Sequence, residues 1–243
     1  MARSGIGDRV EGLHSVTAAV AAGRVERLIV ESARAPELTE LMTAAEHAGA
    51  VVERRPDITD LAVTGAPQGV VARCRPISPV SLDAAVAATD PAALVVLDHL
   101  EDPRNAGAIA RSMLAAGVRG LVVARRRTAP LGATAFKAAA GALEHLAVTE
   151  VSSVAAAVDR LKRLGVWTVG LDAAGSQSLF GLGLLGEPVA IVVGAEGRGL
   201  GRLVSERVDV VASIPLRGPV ESLNASVAAA LGVFEIARVR AER

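Results

Sequence analysis

The chain reads as an α/β protein whose larger part holds a mostly parallel sheet, and three observations predict this. Short apolar runs such as Leu94–Leu97, Leu121–Ala124 and Val189–Val193 have the length and β-branched content of strands covered on both faces. Helical stretches alternate with these runs, the pattern of βα units rather than of hairpins. A Pro-rich passage, Arg75-Pro76-Ile77-Ser78-Pro79, interrupts the series and marks a boundary. The pattern therefore predicts a small α/β domain over residues 1–75, a linker over 76–90 and a larger domain over 91–243.

In the first domain the spacing predicts a helix over Glu11–Ala22 closed by Gly23, a strand over Arg27–Glu31, and a helix over Pro36–His47. Val51–Glu53 and Gly69–Cys74 read as strands around a capped turn at Asp57–Leu61. In the second domain Ser81–Ala88 reads as a short helix, and Asn105 as the cap of a helix ending at Gly117. Thr134–Leu143 is expected to be helical, Leu146–Val151 a strand, and Ser153–Leu164 an amphipathic helix. Val166–Leu171 and Val208–Ile214 complete the strands. The chain then breaks at Pro215, crosses Gly218-Pro219 and enters a final helix near Ser222 or Asn224. From Ala225 to Phe234 that helix has no charge, so burial all round is expected.

Composition narrows the functional classes. With 243 residues and 51% apolar content the chain can bury a sizeable core. Its 26 basic and 26 acidic residues cancel, which argues against indiscriminate phosphate binding but leaves local patches possible. Three Phe, one Trp and no Tyr leave almost nothing for base-stacking platforms. The single Cys74 excludes an internal disulfide and a Cys-rich metal site, and reads as a small buried hydrophobe. His14, His47, His99 and His145 are scattered, so no metal site is expected. The opening Met-Ala-Arg-Ser-Gly-Ile-Gly-Asp-Arg has no apolar targeting core, and no apolar run approaches the ~20 residues of a membrane span. A cytoplasmic location is expected.

Three loops at the C-terminal ends of expected strands concentrate the polar chemistry, where open α/β sheets bind ligands. The first is Asp98-His99-Leu100-Glu101-Asp102-Pro103-Arg104-Asn105. Arg111 is the only charge between Arg104 and Arg119, and its helical neighbours are Gly107, Ala108, Leu114 and Ala115; a positioned group fits this setting better than a solubilising one. The second is Gly194-Ala195-Glu196-Gly197-Arg198-Gly199-Leu200-Gly201. Its glycines let a ligand approach backbone, but its late position and internal Glu196 separate it from a dinucleotide fingerprint. The third opens the final helix with Ser222 and Asn224, where helix capping and ligand binding are both open readings.

Taken in order, Asp-Pro-x-Asn-x-Gly-x-Ile-x-Arg, Gly-x-Glu-Gly-x-Gly-Leu and Ile-Pro-Leu-x-Gly-x-x-x-Ser-Leu-Asn-x-Ser-x-Ala resemble the three motifs of the TrmH-type SPOUT RNA methyltransferases. The resemblance runs from Leu94 to Arg238. Gly12-Leu13-His14-Ser15-Val16 and Gln68-Gly69-Val70-Val71-Ala72 are similar to the ends of the ribosomal-protein-like RNA-binding domain in the subgroup that methylates a guanosine of 23S ribosomal RNA. The resemblance implies a deep C-terminal trefoil knot, a homodimer, and S-adenosyl-L-methionine as cofactor. It implies that Gly194, Ile214, Leu216 and Leu223 line the cofactor, and that Asn105, Arg111, Glu196, Ser222 and Asn224 serve catalysis or shape the site. Ala140 stands where the family often has Ser, and Ala225 where Val is common.

Methyl transfer to a ribose 2′-hydroxyl needs no metal; it needs alignment and handling of the hydroxyl proton. The resemblance makes Arg111 the base, although a guanidinium is a poor proton acceptor near neutrality. Positioning a phosphate and stabilising the developing alkoxide is the other role open to it. Arg125-Arg126-Arg127 form a candidate phosphate contact. Ribosomal RNA is the expected substrate, with transfer RNA or a non-catalytic RNA-binding or assembly role as alternatives.

Overall fold

The computed structural model describes residues 5–243; Met1 to Ser4, the start of the stretch read for a targeting signal, lie outside the described residues. The chain divides into two compact units, one running to Ser78 and including Pro130–His145, the other made of Pro79–Ala129 and Leu146–Arg243.

The first unit has a four-stranded mixed sheet. It is built from β1 (Arg9–Glu11), α1 (Leu13–Ala21), β2 (Val25–Glu31), α2 (Thr39–His47), β3 (Val51–Arg55) and β4 (Val70–Cys74), with strand order β1-β4-β2-β3. Its interior includes Val10, Val16, Ala19, Leu28, Val30, Met42, Ala45, Val70 and Ala72. Two expectations change here. Glu11 is not helical: it ends β1, and its buried carboxylate accepts from the backbone N–H of Val63 at 2.6 Å and of Thr64 at 2.9 Å. Gly12 at φ 85° turns the chain before the helix begins. Pro36 lies in a 3₁₀ stretch, Ser32–Leu38, and the α-helix starts only at Thr39.

One segment, Pro130–His145, falls within the range that the sequence assigns to the larger domain. It packs within the first unit, where Ser15 Oγ donates to the Phe136 carbonyl at 2.8 Å. Arg24 grips Glu144 with Nε at 2.7 Å and Nη2 at 2.5 Å. The single helix expected over Thr134–Leu143 is two pieces, an α-helix over Ala133–Ala139 and a 3₁₀ turn, Ala142–His145, because Ala140 and Gly141 both adopt positive φ.

The second unit continues the chain with α3 (Leu82–Val86), β5 (Ala93–Leu97), α4 (Pro103–Ala115) and β6 (Gly120–Ala124), then α5 (Ala133–Ala139) of the first unit, and β7 (Ala147–Val151). It ends with α6 (Val154–Arg163), β8 (Trp167–Leu171), β9 (Gln177–Ser178), β10 (Val189–Val193), α7 (Arg202–Ser205), β11 (Val210–Ser213) and α8 (Ala225–Ala241). All seven strands pair in parallel, in the order β7-β6-β5-β10-β8-β11-β9. Every residue of β5, β6 and β10 is buried, as strands covered on both faces must be. Alternate residues Leu94, Val96, Val122, Ala190 and Val192 meet α3, α6 and α7, while α8 lies over the opposite face, where Gly232 approaches Ile191 and Leu171. The fold class expected from the sequence stands, and this strand order agrees with the knotted sheet that the resemblance implies.

Two helix expectations change. Asp102, not Asn105, caps α4, accepting from Arg104 N–H at 2.8 Å with Pro103 at the first helical position. The last helix is not buried all round: Val227 and Phe234 are 46% and 51% exposed.

Candidate active site

Three loops leave the C-terminal ends of β5, β10 and β11 in the second unit and converge. At the end of β5, Asp98 is 1% exposed; its Oδ2 accepts from Gly201 N–H at 2.7 Å, and its Oδ1 lies 2.6 Å from His99 Nδ1. Asp102 then starts α4, and the Arg104 backbone N–H holds its carboxyl below the usual carboxylate range. Asn105, one turn in, is buried and donates its side-chain amide to Glu196. The first and second motifs are thus joined by a direct side-chain bond.

The second loop follows β10 and closes on itself, with Ala195 and Gly199 exchanging two backbone hydrogen bonds of 3.0 Å. Gly197 and Gly199 adopt φ of 71° and 64°, conformations that favour glycine. A Cβ on Gly194 would lie 2.1 Å from the Gly199 carbonyl oxygen, and one on Gly199 would lie 2.5 Å from Asp172 Oδ2. Backbone here is packed against backbone, leaving Glu196 at the exposed tip.

The third loop joins β11 to α8. Asn224 is the cap, and its Oδ1 accepts from Ser226 N–H at 2.8 Å and from Ser226 Oγ at 2.6 Å. Of the two starts read from the sequence, Asn224 is the one used. Ser222 precedes it on the exposed stretch.

The second and third loops, with the end of β8 at Leu171–Ala173, line a cavity of about 490 Å³. Gly194, Ile214, Leu216 and Leu223 all line it, together with Glu196 and Ser222. Asn105, Arg111 and Asn224 do not line it; Asn105 reaches it through Glu196. Arg111 is exposed on α4 and has no hydrogen-bond or ion-pair partner among the described residues. Arg125, Arg126 and Arg127 are exposed beyond β6, outside the cavity, with Arg127 at φ 56°. Sequence reasoning missed Asp172 and Glu221 in the lining and, although Asp98 heads the first loop it singled out, the bond of Asp98 to the glycine loop. The available signal was position, since Asp98 and Asp172 each directly follow an apolar strand.

The lining fits S-adenosyl-L-methionine. Leu171, Val193, Ile214 and Leu216 offer apolar walls for a flat base, Asp172, Glu196 and Glu221 offer negative charge to a cationic ligand, and the glycine backbone permits close approach. When bound, that cofactor supplies an electrophilic methyl group. Among the described residues no cluster of His, Cys, Asp and Glu could hold a metal ion.

Comparison with known proteins gives the same answer. The sequence profile of the SpoU rRNA Methylase family matches residues 92–234, and that for RNA 2′-O ribose methyltransferase substrate binding matches residues 9–80. The Bacillus subtilis protein YacO, named for the TrmH family of tRNA/rRNA methyltransferases, is 41% identical over 186 residues, 74% of each chain. A Staphylococcus saprophyticus protein with the same family name is 37% identical over 238 residues, 95% of each. The SpoU methyltransferase AviRb from Streptomyces viridochromogenes, solved with AdoMet, superposes with a TM-score of 0.78 at 26% identity, covering 97% of this chain and 91% of its own. Fold, cavity and comparisons define the class: an RNA 2′-O-ribose methyltransferase that uses S-adenosyl-L-methionine. The chain belongs to the SpoU rRNA Methylase family.

Proposed function

We propose that this protein methylates the 2′-hydroxyl of a guanosine in 23S ribosomal RNA, acting in the cytoplasm as a homodimer. The observation that carries the reading is the hydrogen bond from Asn105 to Glu196, which joins the arginine-bearing helix α4 to the wall of the cofactor cavity. A residue on α4 is thereby held in register with whatever occupies the cavity. The substrate-binding match over residues 9–80 supports RNA as substrate.

In this reading Gly194, Ile214, Leu216 and Leu223 hold the cofactor. Asn105 and Glu196 fix α4 against the glycine loop, and Asn224 with Ser222 orders the entry to α8. Arg111, whose charge is unpaired among the described residues, positions an RNA phosphate and stabilises the 2′-oxygen as its proton passes to solvent water. Arg125, Arg126 and Arg127 contact backbone phosphates further out. The shallow groove between α4 and α8, lined by Ala108, Val227, Leu231 and Phe234, is assigned to the second copy.

The test is a tritiated-methyl assay on total RNA followed by nucleoside analysis. Label in 2′-O-methylguanosine of 23S ribosomal RNA is the expected result. Label confined to transfer RNA moves the substrate to the second class named for the relatives, and a wild type that binds RNA without labelling it is a binding or assembly factor.

A further inference from the structure

Strand pairing in the first unit brings together three residues far apart in sequence. Arg9 of β1 lies directly opposite Arg73 of β4, and Arg73 lies directly opposite Arg27 of β2. Opposed residues share a face of the sheet, so the three guanidinium side chains stand side by side on strands ~4.8 Å apart. The next row over, Val10, Ala72 and Leu28, points to the other face and is fully buried. On the arginine face, Ile29 and Val71 are closed over by Ile58 and Leu61, but Arg27 and Arg73 are exposed.

Like charges directly opposite one another destabilise a sheet, and this row is poorly compensated from within. Arg27 pairs with Glu53 at 3.1 Å; the same carboxylate lies 3.9 Å from Arg55, which also meets Asp60 at 3.4 Å. Arg9 and Arg73 have no acidic partner among the described residues. In a chain with no net charge, a row of three cations of which only Arg27 has a carboxylate partner is a local concentration that a polyanion would relieve.

We propose that the row Arg9, Arg73 and Arg27 is a docking surface for the phosphodiester backbone of the RNA substrate. This rests on the reading of the chain as an RNA methyltransferase. Guanidinium forks match phosphate oxygens in geometry and charge, and Val51, 60% exposed beside Arg27, offers no stacking ring. The contact therefore grips backbone and carries no base readout.

The variant R9Q/R27Q/R73Q is tested against 23S ribosomal RNA transcribed in vitro. The expected result is an affinity at least about tenfold weaker at low salt, and a slope of log K against log salt shallower by about two. KM for RNA rises while kcat and cofactor affinity hold, and Tm does not fall, because mutual repulsion is relieved. The charge-preserving variant R9K/R27K/R73K keeps the wild-type salt slope. Unchanged affinity and slope in the glutamine variant overturn the proposal, as does a lysine variant that loses the slope equally. If the wild-type protein methylates no RNA, the reading of function fails instead; the binding arms report on the arginine row regardless.

Discussion

The buried carboxylate of Asp98 accepts a hydrogen bond from the backbone N–H of Gly201 at 2.7 Å, across 103 residues of chain. It fastens the far end of the glycine loop to the end of β5, while Asn105 and Glu196 fasten its tip. Asp98→Ala leaves the Gly201 N–H without its acceptor, a loss of about 1–3 kcal/mol. Denaturant melts should show that loss and calorimetry a weaker cofactor isotherm; Asp98→Asn, which keeps an acceptor, should lose less of both.

Gly194 and Gly197 make a matched pair. A Cβ at 194 would meet the Gly199 carbonyl oxygen at 2.1 Å, whereas one at 197 meets nothing within 4 Å but must accept φ 71°. Gly194→Ala should abolish cofactor binding by displacing the loop. Gly197→Ala should cost only about 1–2 kcal/mol of backbone strain and retain binding. Equal affinities for the two variants would refute the cradle role of Gly194.

Arg111 lies outside the cavity wall and is exposed. Arg111→Ala should lose methylation of RNA while its cofactor isotherm stays at the wild-type value. Turnover comparable to wild type would remove Arg111 from the machinery.

Glu235 on α8 is buried, bound by Arg238 at 2.7 Å and by the Gly181 N–H at 2.8 Å. The Arg238 hydrogen bond, seconded by that N–H, holds its carboxyl below the usual carboxylate range. A depressed carboxyl stabilises the fold above the unfolded-state value of ~4.3 and loses that contribution as pH falls through the lower folded value. Melting between pH 7 and pH 3 should show a shallower acid decline for Glu235→Gln than for wild type. Parallel curves would show that this pair does not drive the acid limb.

The parallel sheet and the three loops were legible because they depend on local runs: all-apolar strands, a proline and asparagine at a helix start, glycines in series. What was hidden depended on partners far away in the chain. Glu11 looks helical until Val63 and Thr64 supply N–H groups to its carboxylate. Asn105 looked like a cap because its type suits one; Asp102 beside Pro103 wins, freeing Asn105 for Glu196. Ala140 gives no hint of φ 49°, since alanine ordinarily continues a helix. The exposed stripe at Val227 and Phe234 follows from which face α8 turns to the sheet, and an uncharged run does not reveal that. Cys74 behaved as read: it is buried, and burial pushes its thiol up to about 12.

The return of Pro130–His145 to the first unit makes the two units inseparable by a single cut. A chain ending at Ser78 would lack Phe136 and the carboxylate that Arg24 grips. Exchanging N-terminal domains between relatives at that linker would graft a surface whose matching helix stays behind in the recipient. The heritable module is therefore discontinuous, and any recombination that preserves it must carry a second, sixteen-residue cassette from the middle of the gene.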